Sequence, residues 1–349
     1  MKVLYLFNRV RRGLHEEIVR KRDHDGHFFG MYRLARYGIQ AEYIELEQFV
    51  PAWLARYLRT RLLNIHYVHL PFFFTMRRYD FVFTSTAFGS LLVKALLRLK
   101  RPRWIVLDYG LRGMIARGVT LKQRALRYML GRTDGIITLS PGEAKAMKEV
   151  FPELADRIRF LYLGVDTAFF TPDPARLEED FILSPGRDPG RDLRTLALAT
   201  AGLVNDVRVT SRWWNPDALG AKGTHVKRYT LSPLELREQY QRAKLIVLPL
   251  NMTGGLNDAM GCSTLVESLS MGKAIIATRT ETVEAYLTHG ENGWLVPPGD
   301  EEALREAIEL LWNDTALRRR LGRSAREFAV THCAADTFAR NLAEYLRSF

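Results

Sequence analysis

Short runs rich in β-branched and aromatic residues alternate with helix-length segments along this chain, and that alternation leaves few folds open. In the first half the runs fall at residues 3–7, 41–46, 80–84, 104–107 and 136–139, with helix-length segments between several of them. Strands buried on both faces and joined by helical crossovers are what a parallel sheet requires. The pattern breaks at 165–180, VDTAFFTPDPARLEED, where two prolines and a cluster of acids interrupt both periodicities. It then restarts, with runs at 181–184, 207–209, 225–229, 245–249, 274–278 and 294–296. At 349 residues the chain is about two typical domains long. The reading is α/β, with two Rossmann-like domains in series: 1–165, then 166–334, with a last helix over 335–349 packing near their junction.

The two cysteines, Cys262 and Cys333, are far apart and sit in no Cys/His cluster, so neither a disulfide framework nor a zinc site is expected from them. The N-terminal MKVLYLFNRVRRG turns basic too soon for a signal-peptide core, and no run approaches about 18 apolar residues. A cytoplasmic protein is expected, peripheral at the inner face of a membrane if its basic half binds there.

That half carries the charge. Residues 1–170 hold 29 Lys/Arg against 15 Asp/Glu, and residues 171–349 hold 22 against 24. Such a field attracts polyanions or an anionic leaflet. Trp53, Leu54, Tyr57, Leu58 and Leu62 alternate with Arg56, Arg59 and Arg61, and further basic, apolar-studded stretches are HYVHLPFFFTMRR (66–78), LLRLKRPR (96–103) and LKQRALRYMLGR (121–132). One reading is a face that lies on an anionic membrane; the other is ordinary core with solvated arginines. No nucleic-acid motif accompanies the charge, so nucleic acid is not an expected partner.

The densest motif is DAMGCSTLVESLSMGK, 258–273, between a run ending LIVLPL and the run AIIAT. A helix starting near Thr264 just past a strand's carboxyl end would offer free amides and a positive dipole end to a diphosphate, with Glu267 one turn on to accept from ribose hydroxyls. Thr264-x-x-Glu267 is equally a capping box that needs no ligand.

This segment resembles the donor-binding motif of retaining GT-B glycosyltransferases, the group 1, family 4-like nucleotide-sugar transferases. The resemblance extends to Leu139-Ser140-Pro141-Gly142-Glu143, to LYLGVDTAFFTP from Leu161, to Ser184-Pro185-Gly186-Arg187 with Gly190-Arg191-Asp192, to Tyr240-Gln241-Arg242-Ala243 and to HGENGWLVPPGD from His289. It covers about residues 134–330 and implies a GT-B fold, two Rossmann-like domains with parallel sheets facing across a cleft. It further implies Arg187 and Arg191 on the diphosphate, the Ser263 and Thr264 backbone on phosphate oxygens, Gly261 and Leu265 in the same loop and helix turn, and Glu267 on the ribose. Fixed guanidinium groups and a helix end can stabilise a leaving diphosphate without a metal, so no cofactor and no metal are expected.

The family pattern has a second glutamate eight positions before Glu267, where this chain has Ala259; Asp258 is the adjacent acid and the candidate for the donor sugar. In the first half Gly26, in GHFFG, resembles the family's glycine-containing first loop near the phosphates. Asp108, after RWIVL, stands where relatives carry His or Asp facing the sugar, and is the candidate catalytic carboxylate beside Arg187 and Arg191. Asp23-His24-Asp25 is a DxD triplet of the kind that GT-A enzymes use to hold a metal, which the two-Rossmann pattern argues against.

The resemblance implies a retaining transfer from a UDP- or GDP-sugar to a glycan or lipid-linked acceptor, with front-face attack. Two rivals remain: a catalytically degenerate nucleotide-sugar-binding protein, since Ala259 removes a contact, and a basic nucleic-acid-binding protein.

Overall fold

The computed structural model describes all residues except 63–66, 116–119, 216–218, 221–222 and 253–258. The chain divides into two compact units. The first comprises 1–20, 28–161 and 339–349, and the second 21–27 and 162–338.

The first unit is a six-stranded parallel sheet: β1 (Lys2–Leu6), β2 (Gln40–Tyr43), β3 (Phe81–Thr84), β4 (Arg103–Leu107), β5 (Gly135–Thr138) and β6 (Ile158–Phe160), in the order β2-β1-β3-β4-β5-β6. β3, β4 and β5 are buried almost end to end, which is why they read as unbroken apolar runs rather than alternations. β6 is absent from the sequence reading. It is a three-residue edge strand with exposed Arg159 between Ile158 and Phe160, too short to show a period. The last residues return to this unit: Tyr345 donates to the Arg157 carbonyl, and the Phe349 ring meets Phe81 edge-on at 5.7 Å.

The second unit repeats the plan with β7 (Glu179–Ser184), β8 (Val207–Val209), β9 (Val226–Arg228), β10 (Ala243–Leu248), β11 (Ile275–Thr278) and β12 (Trp294–Val296), in the order β12-β11-β10-β7-β8-β9, all parallel. Several of its helices open on side-chain caps. Ser232 forms a capping box with Glu235 ahead of Pro233–Arg242, Asp192 accepts from the Thr195 amide ahead of Leu193–Thr200, and Asp300 accepts from the Ala303 amide ahead of Glu301–Asn313.

Each unit has its own apolar core. One gathers Leu4, Val82, Trp104, Val106 and Ile136; the other gathers Ile182, Leu196, Val247, Ile276 and Ile308. The basic stretches of the first unit split between the two readings open from sequence. Ala55, Phe72, Phe73, Met76, Leu126, Met129 and Leu130 are core. Trp53 (72% exposed), Tyr57, Phe74 (76% exposed) and Leu121 stand out to solvent. Trp53 and Tyr57 lie one turn apart on the helix Ala52–Tyr57, with Arg56 between them. Among the described residues, no helix is long and apolar enough to cross a membrane.

Candidate functional site

β7 and β10 are neighbours in the second sheet, so the loops leaving their carboxyl ends lie side by side, the place where open α/β sheets bind ligands. The two loops are tied together by backbone. The Asn251 amide donates to the Gly190 carbonyl (2.8 Å), the Asp192 amide donates to the Pro249 carbonyl (3.0 Å), and Arg191 bridges Leu250.

Arg191 is the centre of this cluster. Its Nη2 donates to the Thr264 hydroxyl at 2.7 Å, and its Nε lies 3.3 Å from Asp188 Oδ2. Among the described residues its Nη1 has no hydrogen-bond partner although it is buried. Burial pulls the guanidinium's pKa down, opposed by the charges of Asp188, Tyr240 and Glu267. A buried cation with an unused donor is a socket for an anion, because leaving it unfilled costs desolvation that an oxyanion would repay. Gly186 makes room for it: with φ of +125°, any Cβ there would run into the Arg191 guanidinium.

The motif helix runs Cys262–Ser270, two residues earlier than the sequence reading, and its N-cap is Gly261 at φ +82°. Thr264 is therefore inside the first turn and does not cap the helix. Its hydroxyl donates to the Gly261 carbonyl (2.9 Å) and accepts from Arg191. The capping-box reading of Thr264 and Glu267 fails for a second reason: Glu267 Oε2 accepts from the Tyr240 hydroxyl at 2.9 Å. Leu265 is buried, its amide bonded to the Gly261 carbonyl, while Ser263 faces outward at the first turn.

Glu267 is 8% exposed. Burial raises its pKa to about 7, against the lowering effects of the Tyr240 hydrogen bond and of Arg191 and Arg187, while the charge of Asp23 adds to the rise. Desolvation wins because one hydroxyl donor and two nearby guanidinium charges do not replace a full hydration shell. Arg187 is directed differently from Arg191, its Nη2 donating to the Leu231 carbonyl at 2.7 Å beyond β9.

Arg187, Arg191, Gly261, Ser263, Thr264, Leu265 and Glu267 thus share one end of one sheet. Asp258 lies outside the described residues. Gly26 belongs with the second unit, where a Cβ on it would stand 2.9 Å from His24 Nδ1. Asp108, in the first unit, is fully buried, and its Oδ1 accepts from the Leu111 amide at 2.6 Å, the pattern of a helix-start cap. Sequence reasoning did not single out Tyr240, Asp188 or Thr210 as site residues. Tyr240 orients Glu267, Asp188 pairs with Arg191, and Thr210 accepts from the Gly186 amide (2.8 Å). Tyr240 was legible within the Tyr240-Gln241-Arg242-Ala243 resemblance, but not its burial against Glu267.

Residues 221–328 match the family described as glycosyl transferases group 1. An exopolysaccharide phosphotransferase of Streptomyces coelicolor, SCO2592, is 36% identical over 124 residues, 35% of this chain and 12% of that protein. The lipopolysaccharide core biosynthesis glycosyltransferase LpsE of Rhizobium meliloti is 35% identical over 68 residues, 20% of each chain. The chain thus spans about an eighth and a fifth of those two relatives. The structure of Anabaena Alr3699/HepE in complex with UDP superposes over 100% of both chains with a TM-score of 0.69 at 16% identity. Two six-stranded parallel sheets in this topology mean that the chain has the GT-B fold, and residues 221–328 of its second unit match the group 1 glycosyltransferase family.

Proposed function

We propose that the protein is a glycosyltransferase that takes a sugar from a UDP- or GDP-sugar with retention of anomeric configuration. The observation that supports this reading most is the buried Arg191, which holds Thr264 at a helix N-terminus while keeping Nη1 unpaired among the described residues. A diphosphate seated there would meet a fixed cation, the first-turn amides of Ser263 and Thr264 and a dipole end, with Glu267 one turn deeper for the ribose hydroxyls. As the bond from the anomeric carbon to the diphosphate oxygen breaks, charge grows on the diphosphate, and these groups stabilise it without reorganising and without a metal on the phosphates. In a front-face route the acceptor oxygen bonds to the anomeric carbon on the side the diphosphate leaves. The acceptor proton passes to the departing phosphate oxygen, so no enzyme nucleophile is consumed. Asp258 is the proposed contact of the transferred sugar.

The acceptor is proposed to be a lipid-linked or cell-envelope glycan, reached from an anionic membrane surface. The support is the exposed Trp53, Tyr57 and Phe74 among the arginines of the first unit, together with relatives named for exopolysaccharide and lipopolysaccharide work. The test is to incubate the protein with UDP- and GDP-sugars and a glycan acceptor, with EDTA present, and to read the product's anomeric configuration by NMR. A retained anomer at full rate in EDTA supports the proposal. An inverted anomer overturns retention, activity lost in EDTA overturns metal independence, and no turnover with bound nucleotide favours a degenerate binding protein.

A further inference from the structure

Residues 21–27 pack with the second unit, and three of their side chains converge. One ligand atom each from Asp23, His24 and His27 lies within 4.8 Å of the other two. His24 is 7% exposed and walled by aromatic rings: His27 at 4.4 Å, Phe170 edge-on at 4.9 Å and Phe169 at 5.7 Å. Its imidazole makes no hydrogen bond among the described residues. Nδ1 is buried without a partner, and Nε2 approaches Asp23 Oδ1 only to 3.7 Å. Gly26 lets the turn close over this ring, since a Cβ there would stand 2.9 Å from Nδ1. Asp23 is set in place by the His24 amide, which donates to its Oδ1 at 2.7 Å.

A buried imidazole that finds no hydrogen bond costs free energy unless something takes its lone pair. We propose that Asp23, His24 and His27 form a binding site for a divalent transition ion of the zinc class. Two imidazoles and one carboxylate suit Zn²⁺, Co²⁺ or Ni²⁺, whereas Mg²⁺ and Ca²⁺ take oxygen ligands. Three protein ligands leave an open coordination position, and His27 is the least buried of the three. This departs from the expectation of a metal-free chain, and it is not the DxD arrangement: Asp25 is outside the set, and two of the three donors are nitrogens. The site is independent of the proposed donor chemistry, which asks for no metal on the phosphates.

The test uses the full chain stripped with EDTA and titrated with Zn²⁺, and with Co²⁺ as a spectroscopic probe, no nucleotide being present. One equivalent should bind, raise the melting temperature and give visible ligand-field bands. His27→Ala, at the least buried of the three ligands, should weaken binding about tenfold or more and remove the bands, while Asp25→Asn should leave both unchanged. Failure of either ion to bind in large excess overturns the proposal, as does His27→Ala binding like the wild type. Loss in Asp25→Asn with retention in His27→Ala would overturn it in favour of an oxygen site. None of these readouts depends on transferase activity, so the two proposals stand or fall separately.

Discussion

Arg191 and Thr264 are 73 positions apart in sequence and 2.7 Å apart in space, a guanidinium Nη2 donating to a hydroxyl in the first turn of the motif helix. That contact joins the loop after β7 to the helix after β10 and fixes where a diphosphate would meet both.

Arg191→Lys keeps the charge but cannot reach Thr264 and an anion together. It should weaken UDP binding by about 10- to 100-fold, the scale of a lost charge-assisted hydrogen bond. Calorimetry with UDP and with uridine separates the cases: uridine, lacking phosphates, should lose nothing. Equal losses for both would place Arg191 on the nucleoside instead.

Glu267 sets a pH dependence of definite sign. Its folded-state pKa of about 7 lies above the ordinary glutamate value, so between roughly pH 4.5 and 7 the folded protein holds a proton that the unfolded chain has released. Stability therefore falls as pH rises through that window, by about 3 kcal/mol in all. Glu267→Gln should flatten the fall, visible as a higher melting temperature than the wild type at pH 8. Ribose hydroxyls donate to the ionised carboxylate, so nucleotide affinity should climb with pH through 7 in the wild type and stay level in the variant. A level wild-type profile would remove Glu267 from the ribose.

Gly261→Ala forces a side chain into a left-handed conformation and places its Cβ 3.2 Å from Arg191 Nη1. The expected cost is about 1–2 kcal/mol of stability, with nucleotide affinity reduced because the guanidinium is displaced. Denaturant unfolding and UDP titration of the same preparation check both; a stable variant with intact binding would mean that the helix start tolerates a shift.

Trp53→Ala and Phe74→Ala remove exposed aromatic surface and nothing from the core. Sedimentation with anionic liposomes should show weaker association for each variant, and for the wild type as salt is raised. Binding that ignores both substitutions would leave the arginines as a solvated surface.

The alternation of β-runs and helices made both sheets legible because their inner strands are buried on both faces, and every strand of the second unit lies in or against a run read from sequence. The short edge strand β6 was not legible, since Arg159 breaks a run of only three residues. At the site, the charged residues announced themselves and their geometry did not. Thr264 and Glu267 satisfy a local capping pattern, and only tertiary contacts with Arg191 and Tyr240 show that both side chains are committed elsewhere. His24 was legible only as the middle of an acidic triplet; the ring stack that isolates it comes from Phe169 and Phe170, some 145 residues away.

The return of residues 339–349 to the first unit has a temporal consequence. Residues 28–161 leave the ribosome long before Tyr345 and Phe349, yet those two side chains complete the packing around Gly135, Phe81 and Arg157. The unit translated first is thus the one finished last, and it must wait, with part of its interior open, until the whole of the second unit has emerged.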